Sequence, residues 1–433
     1  MTKYETKERM PPEAPDAAMS ASERVTVIES DGPPPRDRRL RFLLKMAAML
    51  EVGGILVVMP DGSRHRAITG ADGPEAEIVI RDPKAVARLA TGGSLGLAEA
   101  YIDGLWTSPD ILMVMALAAA NEEAWETTLN GRRLARLAAK LLHMLRPNSR
   151  LGARRNIIEH YDLGNEFYAS WLDRSMSYSS AYFGGNEAVT LEQAQLQKIH
   201  RLCQLLRLTP GMRLLEIGCG WGGFAEVAAR DYGCSVVGIT LSPSQLEFAR
   251  KRMQAAGLEQ RVELRLQDYR DVQGTFDRIA SVEMFEAVGE KYWGAYFDTI
   301  RERLRKNGVA GIQVITISDR LFDNYKKGAD FIQRHVFPGG MLPSKRRLRG
   351  AIVKAGLAWG EEHWFGRDYA ETLARWQQSF QAAWPRIQAT TALNKRPADE
   401  RFKRLWEYYL AYCETGFRAG WTDVGQILIA PNG

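Results

Sequence analysis

The chain has little cysteine and no long apolar run. Its four cysteines (Cys203, Cys219, Cys234 and Cys413) stand among 433 residues without a C-x-x-C pair. That argues against a metal site or a disulfide framework and for a reducing, cytoplasmic compartment. The longest apolar run, residues 111–120 between Asp110 and Asn121, is too short to cross a bilayer. Met1 to Arg24 lacks the apolar centre of a signal peptide, so a soluble protein with at most peripheral membrane contact is expected. What is present fits that class. Apolar residues at 45% and charged residues at 25% suffice for a packed core, and the length suits two domains. A formal charge of +6 favours an acidic partner, a phospholipid surface or nucleic acid.

Residues 1–38, with Pro33-Pro34-Pro35, read as a disordered tail. A small α/β domain follows over 39–130. It has a helix near 40–50, strands near 55–59 and 77–80, a helix opened by Asp82-Pro83, and helices near 95–102 and 109–120. No catalytic constellation shows in it. Residues 131–155 form a linker in which Leu134, Leu137, Leu141 and Leu145 share a helical face flanked by Arg132, Arg133, Arg136 and Lys140. Such a helix either lies on an anionic membrane or connects two domains with its arginines solvated. From 156 to 433, strands and helices alternate at the rhythm of a mainly parallel, Rossmann-like sheet.

The segment Leu214-Leu215-Glu216-Ile217-Gly218-Cys219-Gly220-Trp221-Gly222-Gly223 runs from a strand through a glycine turn into a helix. That arrangement brings backbone N–H groups to a nucleotide-like ligand. The glycines alone admit NAD or S-adenosylmethionine. NAD calls for an acid at the tip of the second strand, which here ends Ile239-Thr240-Leu241-Ser242. The acid stands instead before the glycines, at Glu216, where it can bind the ammonium that S-adenosylmethionine has and NAD lacks. Gln267-Asp268-Tyr269, after the third strand, can hold adenine.

These motifs, with His160-Tyr161-Asp162-Leu163-Gly164-Asn165, Tyr178-Ser179-Ser180-Ala181-Tyr182-Phe183 and Phe337-Pro338-Gly339-Gly340, resemble the cyclopropane-fatty-acyl-phospholipid synthases, relatives of the mycolic acid cyclopropane synthases. The resemblance implies a class I S-adenosylmethionine-dependent methyltransferase fold. It also implies an enzyme that modifies the cis double bond of unsaturated acyl chains in membrane phospholipids. The expected product is a cyclopropane formed through a carbocation. The partner is then phospholipid on the inner face of the membrane, not nucleic acid, and the enzyme is a homodimer. By similarity Tyr178, Ser179, Glu216, Gly218, Gly220, Gly222, Thr240, Gln245, Asp268 and Tyr269 contact the cofactor. Tyr182, Phe183, Tyr292 or Trp293 can stabilise the carbocation through their ring faces, while core packing is the expected role of most of them.

In the family, bound bicarbonate takes the proton, held by a glutamate, a tyrosine, a histidine and the region of a cysteine. Glu286 and Tyr369 match the first two. Ser180 stands for the cysteine, Gln313 for the histidine, and Ala287 for a further histidine. Serine and glutamine hydrogen-bond an anion but do not titrate near neutrality. The base therefore stays open between bicarbonate and another group. The product stays open between a ring and a methylene- or methyl-branched chain, and a small-molecule methyltransferase remains an alternative on the same fold.

Overall fold

The computed structural model describes residues 26–129, 163–389 apart from 187 and 329, 393, and 397–432. The basic linker helix, most of the tail, and His160 to Asp162 lie outside the described residues.

The N-terminal part is a five-stranded sheet ordered β1-β3-β2-β4-β5. Its strands are β1 (Val27–Ser30), β2 (Gly54–Val58), β3 (Arg64–Ile68), β4 (Glu75–Ile80) and β5 (Trp106–Thr107). β1 falls inside the stretch expected to be tail. It is a short edge strand with Val27 and Ile28 exposed, so no alternating apolar pattern announces it. It is held by antiparallel pairing with β3 and by a 2.8 Å hydrogen bond between Ser30 Oγ and buried His65. Helices α1 (Arg38–Ala47), α2 (Lys84–Ile102), α3 (Ile111–Ala120) and α4 (Glu122–Leu129) accompany the sheet. Within α2, Gly93 adopts φ 60 and ψ −144, which only glycine takes readily, and kinks the helix.

The larger part begins with α5 (Asn165–Ala169) and α6 (Leu191–Leu205). Thr190 and Gln193 close a reciprocal capping box on α6, as their spacing predicts. The seven-stranded sheet uses β6 (Arg213–Ile217), β7 (Ser235–Thr240), β8 (Val262–Leu266), β9 (Phe276–Val282), β10 (Leu304–Ile317), β11 (Leu357–Trp364) and β12 (Thr422–Pro431). Its order is β11-β12-β10-β9-β6-β7-β8. Strands β6 to β10 run parallel, while β12 and β11 join antiparallel. The crossover helices α7 (Gly223–Arg230), α8 (Pro243–Ala255) and α9 (Trp293–Arg303) follow the expected alternation. β11 goes unread in the sequence because an edge strand carrying Glu361, Glu362 and His363 lacks an apolar run.

Five helices complete the fold: α10 (Asp319–Tyr325), α11 (Phe331–His335), α12 (Lys345–Lys354), α13 (Gly366–Ala389) and α14 (Glu400–Arg418). The N-terminal part shares a hydrophobic core with α13 and α14. Tyr101 of α2 meets Tyr408 of α14 at 5.7 Å between ring centres, and Tyr408 meets Phe331 at 4.8 Å. Aromatic contacts of this kind contribute beyond their buried area, and here they tie α2 to α14 and α14 to α11.

Candidate active site

Strand β6 has β7 on one side and β9 on the other, so the chain winds away from it in both directions. Open α/β sheets bind ligands in the crevice at this switch point. The turn leaving β6 needs glycine. Gly218 (φ 84), Gly220 (φ 51) and Gly222 (φ 84) all lie in the left-handed region. A Cβ on Gly220 would meet nothing within 4 Å, so the loop leaves open space in front of it. Glu216 is buried on the wall of that space, and one of its carboxylate oxygens has no hydrogen-bond partner. Burial pushes its carboxyl up to about 8, against the opposing pull of Lys198. Lys198 is itself buried, its ammonium brought down to about 8 by desolvation, and it donates to Ser179 Oγ at 2.6 Å. Thr240 and Gln245 hydrogen-bond to each other at 3.0 Å beyond β7, and Gln267 and Tyr269 lie beyond β8. An orphaned buried carboxylate beside an open glycine cradle fits S-adenosylmethionine, with Glu216 for its ammonium.

Of the expected cofactor residues, Tyr178, Ser179, Glu216, Gly218, Gly220, Thr240, Gln245 and Tyr269 line one cavity of about 1200 Å³. Two do not. The Asp268 carboxylate turns to Arg270, which donates to it at 2.6 and 2.8 Å, because arginine offers a bidentate partner two residues away. Gly222 is spent on the entry to α7, where a Cβ would press Ala249 at 3.2 Å.

The expected catalytic set rearranges around a residue that no motif singled out. Glu283 follows β9 with φ 48, a left-handed conformation that is costly for a non-glycine residue. Its carboxylate accepts from the Tyr369 hydroxyl at 2.7 Å, from Gln313 Nε2 at 2.8 Å and from the Ser180 backbone N–H at 2.9 Å. Burial raises its carboxyl and these donors oppose the rise. Ser180 and Gln313 lie behind Glu283, off the cavity wall, and the Ser180 hydroxyl donates instead to the Ala181 carbonyl at 2.9 Å. Gln313 is in turn fixed by Gln426 at 3.0 Å. Glu286 stands apart from this trio. Its Oε1 accepts from the Ile315 N–H at 2.5 Å, and its Oε2 is buried without a partner. Burial, then the charge of Glu283, pushes the Glu286 carboxyl up to about 8. The donors expected to hold bicarbonate are thus committed to a side-chain carboxylate, and the residues present do not fit that anion.

The rings weighed between facing a cation and packing in the core lie off the cavity. Tyr182, Phe183, Tyr292 and Trp293 are off the cavity wall; Trp293 packs on Phe285 at 5.4 Å and Tyr182 on Phe365 at 5.5 Å. Their place is taken by Tyr178, Phe337, Tyr409 and Phe417. Phe417 stacks on Tyr369 at 4.5 Å, and Tyr178 and Tyr409 join hydroxyls at 2.8 Å. The N-terminal part, which shows no catalytic signal in sequence, supplies Thr91 to Gly96 to the same wall. Gly92-Gly93 inside a helical pattern was the available hint. The cavity exceeds the ~300–1,000 Å³ of a single small-molecule site, and its lining beyond the glycine loop is largely apolar and aromatic.

A sequence profile of the family described as mycolic acid cyclopropane synthetase matches residues 148–427. The chain is 37% identical to the tuberculostearic acid methyltransferase UfaA1 of Mycobacterium tuberculosis, covering 83% of this chain and 84% of that one. It is likewise 37% identical to the cyclopropane-fatty-acyl-phospholipid synthase of Escherichia coli, covering 82% and 88%. Among solved structures, the mycolic acid cyclopropane synthase CmaA1 complexed with SAH and CTAB superposes with a TM-score of 0.59 at 30% identity, over 64% of this chain and 98% of that one.

Proposed function

The chain belongs to the mycolic acid cyclopropane synthetase family, and we propose that it methylates the cis double bond of an acyl chain carried by a membrane phospholipid. It is an S-adenosylmethionine-dependent methyltransferase. One observation carries the proposal: a half-buried carboxylate, Glu283, is fixed by three donors on the same apolar cavity that the glycine loop opens into.

S-adenosylmethionine supplies an electrophilic methyl group. Glu216 and the loop N–H groups orient the cofactor, and the apolar walls exclude the water that would capture a cation. The alkene's electron pair forms the new carbon–carbon bond while the sulfur keeps the pair of the bond that breaks. This leaves a carbocation on the chain, faced by Tyr178, Tyr409 and Phe417. Glu283 then takes a proton. Position decides more than basicity for so acidic a C–H, and Tyr369, Gln313 and the Ser180 N–H set that position. Glu283, Lys198 and Glu216 line the same cavity, and in this reading Glu283 faces the transferred methyl. The nearest proton is therefore on the transferred methyl, and its loss closes a cyclopropane.

A second reading has a 1,2-hydride shift move the cation to the methyl-bearing carbon, which then loses a proton from the methyl to give a methylene branch or from the neighbouring chain carbon to give a methyl-branched alkene. The unpartnered Oε2 of Glu286 favours it as a second acceptor on the same wall. Incubating the protein with S-adenosylmethionine and vesicles of unsaturated phospholipid tests both. Mass spectrometry of recovered chains should show one added methylene, and NMR should show cyclopropyl protons. Vinylidene or branched-methyl signals would select the second reading, and unmodified chains would remove both.

A further inference from the structure

Between residues 319 and 354 the chain has nine Lys or Arg and three Asp, a formal +6 that equals the charge of the whole protein. One of the acids, Asp330, is half-buried and desolvation pushes its carboxyl up to about 6. Helix α12 carries five of these basic residues, and Lys326 and Lys327 follow directly on α10, whose own charge comes from Arg320 against Asp319 and Asp323. α12 buries Leu348 and Ile352 and turns Arg346, Arg347, Arg349 and Lys354 outward. Among them stands Val353, an aliphatic side chain left 57% exposed. Arg346 and Arg347 reach Asp319 and Asp323 of α10 only at 3.7 and 3.8 Å, loose ion pairs that leave their guanidinium groups facing water.

This face borders the cavity. Leu321, Asn324 and Tyr325 of α10 line the cavity wall. Arg320 pairs with Glu122 of α4, and Arg334 of α11 with Glu99 of α2. Glu99, Glu122 and Arg334 also line the cavity, yet each remains partly exposed to solvent. Charged groups on the wall that still reach water mark where the cavity opens. The opening therefore lies between the N-terminal helices and the basic α10–α12 face.

We infer that the α10–α12 face docks the protein on an anionic phospholipid bilayer, with the cavity mouth turned toward the lipid. The inference rests on the proposed lipid substrate and names the surface that meets it. An acidic protein would satisfy the arginines. It gives no role to an exposed valine among them, or to an apolar cavity opening at their edge. A bilayer explains all three, because an acyl chain can pass into the cavity without crossing water.

The test is co-sedimentation with vesicles of phosphatidylcholine alone or with phosphatidylglycerol added, in the absence of turnover. The triple variant R346E, R347E, R349E is compared with wild type and with K251E, R261E, K306E, three exposed basic residues elsewhere. Each basic side chain at an anionic surface contributes about fivefold, so the first triple variant should lose on the order of 100-fold in partitioning. The control triple should bind as wild type, and binding should weaken with salt. Circular dichroism and thermal melting confirm that both variants fold. If R346E, R347E, R349E partitions like wild type, or loses no more than the control triple, the inference is overturned. Vesicle binding without methylation of any lipid would instead overturn the proposed reaction and leave this surface standing.

Discussion

Replacing Glu283 separates a resident base from a structural carboxylate. Glu283→Gln keeps the shape and lets the amide oxygen accept from Gln313 and the Ser180 N–H, now 2.8 and 2.9 Å from the carboxylate. It removes the negative charge and the proton acceptor. A positioned base contributes about 10²- to 10⁴-fold, so kcat should fall by that factor, roughly 3 to 5 kcal/mol of barrier. Cofactor affinity should change little, since Glu216 and the glycine loop are untouched. Glu283→Gly is the sharper perturbation. At φ 48 glycine is the comfortable residue, and relief of about 1–2 kcal/mol of backbone strain offsets part of the lost hydrogen bonding. It leaves Tyr369, Gln313 and the Ser180 N–H facing a vacancy sized for a small anion, so added formate or bicarbonate should restore part of the rate. The assay is transfer of labelled methyl from S-adenosylmethionine into unsaturated phospholipid, with calorimetry for cofactor binding. Turnover within twofold of wild type in both variants would refute the assignment of Glu283 as base.

Tyr369→Phe removes one donor to a charged group, worth about 1.5–3 kcal/mol; kcat should drop about tenfold to a hundredfold with calorimetric cofactor affinity preserved, and an unchanged rate would detach Tyr369 from the base. Gly220→Ala places a methyl where nothing lies within 4 Å and adds about 1–2 kcal/mol of strain at φ 51. Cofactor affinity measured by titration should fall at least tenfold while the protein still folds, and retained affinity would show that the space is not the cofactor's. Glu286 is raised from 4.5 to about 8, so the folded state binds more protons than the unfolded state between those values. Its stabilising contribution is complete below 4.5 and is lost as pH rises through about 8. Thermal melts of the cofactor-free protein should show Tm declining over that window, and Glu286→Gln should flatten the decline; parallel curves would contradict it.

Much of this was legible because local physics and global fold agree. The glycine turn, the acid before it and the bare tip at Thr240 each follow from what a cofactor with an ammonium group demands. Alternation alone placed the parallel strands. Glu283 was hidden for a physical reason. A glutamate beside a strand end is ordinary in sequence, and only the φ of 48 and the three converging donors reveal it. The pairing of Asp268 with arginine two positions on was not visible in the motif, because either side chain could equally have faced solvent. The rings of Tyr182 and Trp293 were indistinguishable in composition from those of Tyr409 and Phe417, since packing partners far along the chain decide which ones face the cavity. β1 and β11 escaped because edge strands have too little buried surface to impose a pattern.

The glycine loop is built from neighbours in sequence, but the chamber it opens into is not. Its wall runs from Thr91 in the kinked helix to Thr422 at the start of β12, a strand inserted between β10 and β11. During synthesis the nucleotide fold around β6 to β9 can form while the chain is still growing, whereas the lipid chamber must wait for β12 to enter the sheet. Contacts so distant along the chain form slowly. The pocket for the methyl donor is thus a local structure and the chamber for the acyl tail a global one, complete only when distant parts of the chain have come together.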